Sequence, residues 1–220
     1  MLGGGFSFVA GPERGISRVT ALRASWDLVH RLRNQVLALR STTSLGLPWF
    51  DATRNTGDIP DGNFFTWLGQ AQYAARLPWL DAQLIARLDT QLSNHPLLGL
   101  EQFAIGGHAT VRGYRENDLV RDEGVVGSVE LRVPVWKRVG DEPYLTLATF
   151  VDSGYSFNED RATVGKTTLV SVGLSAIANL HDNVSAQLTW AEDLKELPDT
   201  GADYDLQDDG IQFRVSVSWP

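Results

Sequence analysis

The sequence contains no cysteine in 220 residues, which removes disulfides, thiolate metal sites and thiol nucleophiles together and leaves the redox compartment open. It is also short of positive charge. Lys and Arg number 19 against 27 Asp and Glu, for a net charge of -8 and a pI near 4.9, so nucleic acid is excluded as a general partner because phosphate neutralisation needs an excess of cations. Long apolar runs are missing too: the longest stretch free of charged residues and histidine, residues 167–180, is about 14 residues against the ~20 of a membrane-spanning helix. The N-terminal "MLGGGFSFVAGPERG" has neither the basic nor the apolar region of a signal peptide. Either the protein is not exported or Met1 is not the natural start. The length suits one large or two small domains.

What is present is alternation, the period of strands with two chemically different faces. In residues 65–77 Phe65, Trp67, Gly69, Ala71, Tyr73 and Ala75 share one side, while Thr66, Gln70, Gln72 and Arg76 share the other; Leu68 is the exception. Residues 81–92 set Leu84, Ala86, Leu88 and Leu92 against Gln83, Arg87, Asp89 and Gln91. At the end Ile211, Phe213, Val215, Val217 and Trp219 oppose Gln212, Arg214, Ser216 and Ser218. Stretches 22–28, 125–133, 145–152 and 184–190 repeat the pattern. The reading predicts an all-β protein of nine strands, with a candidate tenth in "GGGFSFVA".

A soluble β-sandwich would hide the apolar faces in a core, whereas a transmembrane antiparallel β-barrel turns them to lipid. Loop lengths separate the two, since membrane barrels have short turns at one end and long loops at the other. The connections at 29–32, 77–81, 137–143 and 179–183 are short or moderate, and those at 45–63, 94–124, 156–166 and 193–209 are long. Every second connection is the long one. The strands, at about 10 to 13 residues, match the ~9 to 11 of tilted membrane strands better than the ~5 to 6 usual in sandwiches. Trp26, Trp67, Trp79, Tyr144, Trp190 and Trp219 fall near strand ends, where two interfacial girdles belong. Any one of these aromatics would suit a core as well; their joint placement carries the argument. Trp136 falls on the polar face in this register. A one-residue slip of strand 82–92 would expose Arg87 and Asp89 to lipid, and an arginine there costs roughly 2 to 4 kcal/mol at the midplane.

The loop 94–124 is too long for a plain hairpin connection, and such loops are usually functional. It carries "GGHATVRGYREND" at residues 106–118. Gly106 and Gly107 allow backbone bends, and Gly113 permits a tight tip with positive φ. The glycines would shape a hairpin-like excursion that holds Arg112 at its end. An arginine folded into a polar barrel interior needs a carboxylate on an inward-facing strand position. Asp152, on the polar side of the strand that follows Tyr144, meets that need.

The motif "VRGY" at residues 111–114, preceded by "FAIGG" and followed by "VELRVPV" and "FVDSG", resembles the two-partner secretion transporters, the haemolysin secretion/activation family of the outer-membrane assembly superfamily. The resemblance implies that the loop is the sixth extracellular loop, folded into the pore. It also implies that its arginine pairs with the aspartate of an F-x-D-x-G motif on the barrel wall. Those roles fall on Arg112 and Asp152, framed by Val111, Gly113, Tyr114, Phe150 and Gly154. Five strands should follow the loop to complete a sixteen-stranded barrel, and alternation supplies five. The expected architecture is therefore the last nine or ten strands of such a barrel spanning residues 1–220, with the POTRA domains and first strands absent. Trp219 is penultimate before Pro220, a departure from the aromatic end on which the barrel assembly machinery acts in this family.

Other chemical motifs fail. "DRATVGKT" puts Asp160 where a phosphate-binding loop needs its first glycine, and "GLSAI" puts Ile177 where a nucleophile elbow closes on glycine. His30, His95, His108 and His181 show no metal-ligand spacing, so surface or turn positions are their default. "DYDLQDDG" misses the EF-hand pattern at Asp208. The expectation is a transporter in the bacterial outer membrane, not an enzyme, with no cofactor and no metal. It would pass a large partner exoprotein of haemolysin or adhesin type to the cell surface. An outer-membrane insertase is the alternative in the same class, and a soluble β-sandwich binding protein the alternative outside it. Arg112→Ala or Asp152→Ala should reduce secretion, and a charge swap should partly restore it.

Overall fold

The computed structural model describes residues 16–138, 140, 142–165, 167–181, 183–195 and 209–218. The candidate tenth strand in "GGGFSFVA", the acidic "DYDLQDDG" stretch up to Asp208, and Trp219 lie outside the described residues. The strands are β1 (Ala21–Arg31), β2 (Gln35–Gly46), β3 (Phe65–Leu77), β4 (Ala82–Ser93), β5 (Phe103–Ile105), β6 (Leu119–Arg121), β7 (Glu123–Lys137), β8 (Pro143–Phe157), β9 (Thr168–His181), β10 (Val184–Asp193) and β11 (Ile211–Val217). Nine of them form one antiparallel meander in the order β1-β2-β3-β4-β7-β8-β9-β10-β11, and β5 pairs with β6 in a small separate hairpin. Among the described residues no ladder joins β11 to β1, so the sheet is an open wall with two free edges.

Register places chemistry on this wall. Paired residues of an antiparallel ladder share a face, so the chain of partners Arg87, Ser128, Asp152 and Ser171 forms a polar row across β4, β7, β8 and β9. The neighbouring outward row runs through Ala86, Val129, Val151 and Val172. Asp89, Gln91, Glu130, Asp152, Ser171, Ser175 and Thr189 are buried, whereas Leu88, Val129, Leu147, Val151, Leu174, Leu188 and Phe213 are exposed. Charged and hydroxyl groups inside with apolar groups outside is the reverse of a water-soluble domain and the pattern of a barrel wall in lipid. Among the described residues no second sheet covers the apolar face, which removes the β-sandwich. Arg87 and Asp89 both face inward, bonded to each other at 2.7 Å, so β4 holds the expected register.

The apolar face is finished at both rims. Trp26 and Trp190 are exposed, and Trp67 lies over the bare backbone of Gly69 while donating from Nε1 to Ser41 Oγ at 2.8 Å. At the short-turn end Trp79 is exposed. Among the described residues Trp136 is the aromatic that strict alternation misplaces. The ladder passes from Pro134↔Thr146 to Trp136↔Leu145, so Val135 is an extra residue. That bulge turns Trp136 onto the face of Leu145, where it is exposed and meets Tyr144 edge-on at 5.3 Å. Proline lacks the N–H that a regular ladder would use, and bulges are where sheets accept it.

Candidate functional site

The loop between β4 and β7 turns back against the polar face. Its stem is the β5–β6 hairpin, and beyond it Gly106 and Gly107 take φ of 113° and 92°. Such angles favour glycine. At Gly107 a Cβ would strike the Glu116 carboxyl group, which accepts from the His108 amide at 2.8 Å. Gly113, φ 91°, follows Arg112 and presses against Ala191 of β10. The loop is thus braced internally before it meets the wall.

The structure brings the predicted residues of the loop and of β8 together. Arg112 donates from Nε to Asp152 Oδ2 at 2.8 Å and from Nη2 to Asp152 Oδ1 at 2.9 Å, and its backbone amide donates to Oδ2 at 3.1 Å. Two neighbours on β7 complete the set: Nη1 donates to Glu130 Oε2, and Nη2 also reaches Ser128 Oγ at 3.2 Å. Arg132 holds the other oxygen of Glu130. Two cations and two carboxylates therefore balance, with Arg112, Asp152 and Glu130 buried and Arg132 partly exposed, the condition under which charges tolerate burial. The guanidinium carbon sits 3.3 Å from the centre of the Phe150 ring, a cation–π contact that a planar guanidinium suits. The sequence reading did not single out Glu130 or Ser128; in the β7–β8 ladder Ser128 pairs with Asp152 and Glu130 with Phe150, which sets both beside the aspartate.

The remaining predicted residues make room or seal. A Cβ on Gly154 would lie 2.6 Å from Ile105 and 3.1 Å from Val111, so the wall is bare where the loop lands. Gly173 likewise leaves space for the Phe150 ring. Ile105, Val111, Tyr114 and Leu119 of the loop bury themselves with Val126 and Leu169 of the wall, with Phe103 alongside. This contact of loop with sheet forms a hydrophobic core cluster among the described residues. Tyr114 donates from its hydroxyl to the Val170 carbonyl at 2.9 Å and accepts from the Val170 amide at 3.2 Å. Arg87 of β4 donates to the Ala109 carbonyl at 2.8 Å, and Arg23 of β1 reaches Glu101 at 2.6 Å. The loop contacts span the wall from β1 to β10, so the sheet curls around it.

His108, in the turn next to the tip, has its pKa held below the ordinary histidine value, first by burial and then by the Arg214 and Arg112 cations, with Glu116 opposing. Among the described residues no group of three or more His, Asp or Glu is placed to hold a metal ion. No helix among them is long and apolar enough to cross a membrane, which says nothing of a barrel. The chemistry on offer is a charged, hydrogen-bonded clasp holding a loop against a curved wall.

Comparison with known proteins agrees with this geometry. The model of the family described as haemolysin secretion/activation protein ShlB/FhaC/HecB matches residues 13–176. The outer membrane transporter CdiB of Escherichia coli O6:K15:H31 (strain 536 / UPEC) is 29% identical over 119 residues, 50% of this chain and 19% of the relative. The outer membrane transporter CdiB of Dickeya dadantii (strain 3937) is 30% identical over 143 residues, 61% of this chain and 25% of the relative. The chain thus spans about a fifth to a quarter of the length of these curated relatives. Among solved structures, CdiB from Escherichia coli superposes with a TM-score of 0.67 at 24% identity, over 90% of this chain and 36% of that one. BamA from Haemophilus ducreyi lacking POTRA domains 1-3 gives a TM-score of 0.62 at 12% identity, over 89% and 42%. At these identities the two structures establish the all-β wall and nothing finer.

Proposed function

The chain belongs to the haemolysin secretion/activation protein family, and from that premise we propose that it is the C-terminal part of a sixteen-stranded outer-membrane barrel that exports one large partner exoprotein by two-partner secretion. It is a transporter component and not an enzyme. The observation that carries the proposal is the seating of Arg112 between Asp152 and Glu130, on a loop packed against the polar face of the wall. A polar lumen offers hydrogen bonds to an unfolded chain in transit. The loop constricts that lumen and must shift for cargo to pass. Val111, Gly106, Gly107, Gly113 and Tyr114 shape and seat the loop, Arg112 locks it, and Phe150, Asp152 and Gly154 form the receiving surface. Lipid at the apolar face and the machinery that inserts barrels are the further partners. Free edges at β1 and β11 fit this reading, because unpaired backbone groups in hydrocarbon cost several kcal/mol each and neighbouring strands would satisfy them.

The test is secretion of the partner exoprotein by the full-length protein and by its Arg112→Ala variant. Folded barrel in the membrane is scored separately by its heat-dependent gel migration. Secretion lost with the barrel retained supports the proposal; secretion at the wild-type level refutes the role of the loop. The insertase reading predicts a different failure, loss of other outer-membrane barrels while the exoprotein is still exported.

A further inference from the structure

A second buried anchor lies at the root of the inward loop, away from Arg112. Asp122, the residue between β6 and β7, is fully buried. Its Oδ1 accepts from the Leu97 amide at 3.0 Å, from Gln102 Nε2 at 2.9 Å and from Arg161 Nη2 at 2.9 Å. Its Oδ2 accepts from the Glu159 amide at 3.1 Å and from Arg161 Nε at 3.2 Å and Nη2 at 3.1 Å. Donors from both ends of the region thus converge on one carboxylate: the start of the inward loop, and the next long loop, 158–167, which leaves the same end of the wall. The Asp122 carbonyl adds a hydrogen bond from Gln91 Nε2 of β4 at 3.0 Å. Beside it Arg121 of β6 donates to the Val164 carbonyl at 2.8 Å.

We infer that Asp122 is a latch that ties the root of the plugging loop to the outer loop 158–167, and that this tie opens, freeing the two loops from each other, when cargo passes. The inference rests on the transporter reading above. None of these contacts is needed to build the wall, since the β7–β8 ladder runs to Glu123↔Phe157 by backbone bonds alone. The two arms of the latch are also unequal. Leu97 and Gln102 belong to the same loop as Asp122 and stay with it, whereas Glu159 and Arg161 arrive from the other loop. If loop 158–167 swings outward, Asp122 keeps the amide and the carboxamide donors, so the open state does not strand a bare buried charge. Arg161 is the arm that lets go: its side chain is 23% exposed, against 8% for Arg112 in the inner clasp. Asp122 and Arg161 are positioning residues, acting on cargo passage through the loops they join.

The experiment uses the full-length protein with its partner exoprotein. Secretion, single-channel conductance in planar bilayers and heat-dependent gel migration are measured for Asp122→Ala, Arg161→Ala, the double variant and Arg161→Lys. With the latch broken, the open fraction of the channel should rise about tenfold, roughly a 1.4 kcal/mol change, in a barrel that still folds. The double variant should match Asp122→Ala, because without that carboxylate the Arg161 arm has nothing left to hold there, and Arg161→Lys should keep part of the effect of the native residue. Wild-type channel behaviour in Arg161→Ala, or effects that multiply in the double variant, would overturn the latch. Should Asp122→Ala fail to fold, Arg161→Ala and Arg161→Lys decide alone. Arg112→Ala run alongside separates the two ideas: if it blocks secretion while Arg161→Ala is silent, only the latch falls, and if neither has an effect, the loop mechanism falls with it.

Discussion

Arg112 and Asp152 are joined by three hydrogen bonds, two from the guanidinium fork and one from the loop backbone. The aspartate therefore fixes both the side chain and the path of the loop. Removing the arginine would leave Asp152 and Glu130 facing each other with Arg132 as the nearest paired cation. Breaking a buried pair of this kind costs about 3 to 5 kcal/mol. Arg112→Ala should therefore undock the loop and cut secretion more than about tenfold, while the barrel, built on backbone ladders, persists in heat-shift gels. Arg112→Lys keeps the charge but loses the fork and the stacking on Phe150, and should fall between. Glu130 changes the expectation for the charge swap. An aspartate at position 112 would meet Glu130 as a like charge, so Arg112→Asp with Asp152→Arg should fail to restore secretion, and adding Glu130→Gln should improve it.

Gly154 separates fit from charge. Its alanine variant leaves the Arg112 cluster intact but puts a methyl group 2.6 Å from Ile105 and 3.1 Å from Val111. Overpacking of this sort costs about 1 to 3 kcal/mol, and the mobile partner here is the loop, because β8 is fixed by ladders on both sides. Gly154→Ala should raise protease cleavage within residues 106–118 severalfold with no loss of folded barrel. Trimming the opposing side chain with Val111→Ala should not rescue it, since Ile105 makes the closer contact.

The wall was legible because period-two alternation survives wherever the two sides of a strand meet different solvents. Residues 65–77 were read with the bounds that β3 shows, and the long loop was read as a hairpin-like excursion, which β5 and β6 now define. Trp136 was misplaced because one extra residue reverses every side chain beyond it; Pro134 was the available mark of that bulge. The pair Arg112 and Asp152 could be proposed from an inward carboxylate and a glycine-flanked arginine. Glu130 could not be singled out among other polar-face residues, and Asp122 meets Arg161 only through the folding of two loops, 39 positions apart in sequence. No periodicity encodes such a contact.

The two faces of the wall should answer differently to the same charge. Val151 is exposed on the apolar side of β8, and Val129 beside it shares its row. Val151→Arg should destabilise the folded barrel by roughly 2 to 4 kcal/mol if that row lies at the bilayer midplane, seen as a lower urea midpoint in lipid vesicles. Gln72→Arg, on the inward face in the row of Arg87, should shift the midpoint by less than about 1 kcal/mol. Equal effects at both positions would mean that the apolar face does not meet lipid.

The plug should also loosen in acid, through His108. Burial and the cations Arg214 and Arg112 hold its pKa below the ordinary value of 6.5, against the pull of Glu116. With a depressed pKa in the docked loop, the neutral ring is the form the structure favours. Its contribution is therefore intact above the ordinary value and is lost as pH falls through the lowered one. Protonation would set a new cation among Arg112 and Arg214 at the point where Glu116 braces the turn through the His108 amide. Channel open fraction should rise as pH falls below the ordinary histidine value of about 6.5, and His108→Gln, neutral throughout, should flatten that rise. An unchanged slope in His108→Gln would assign the acid response to another group.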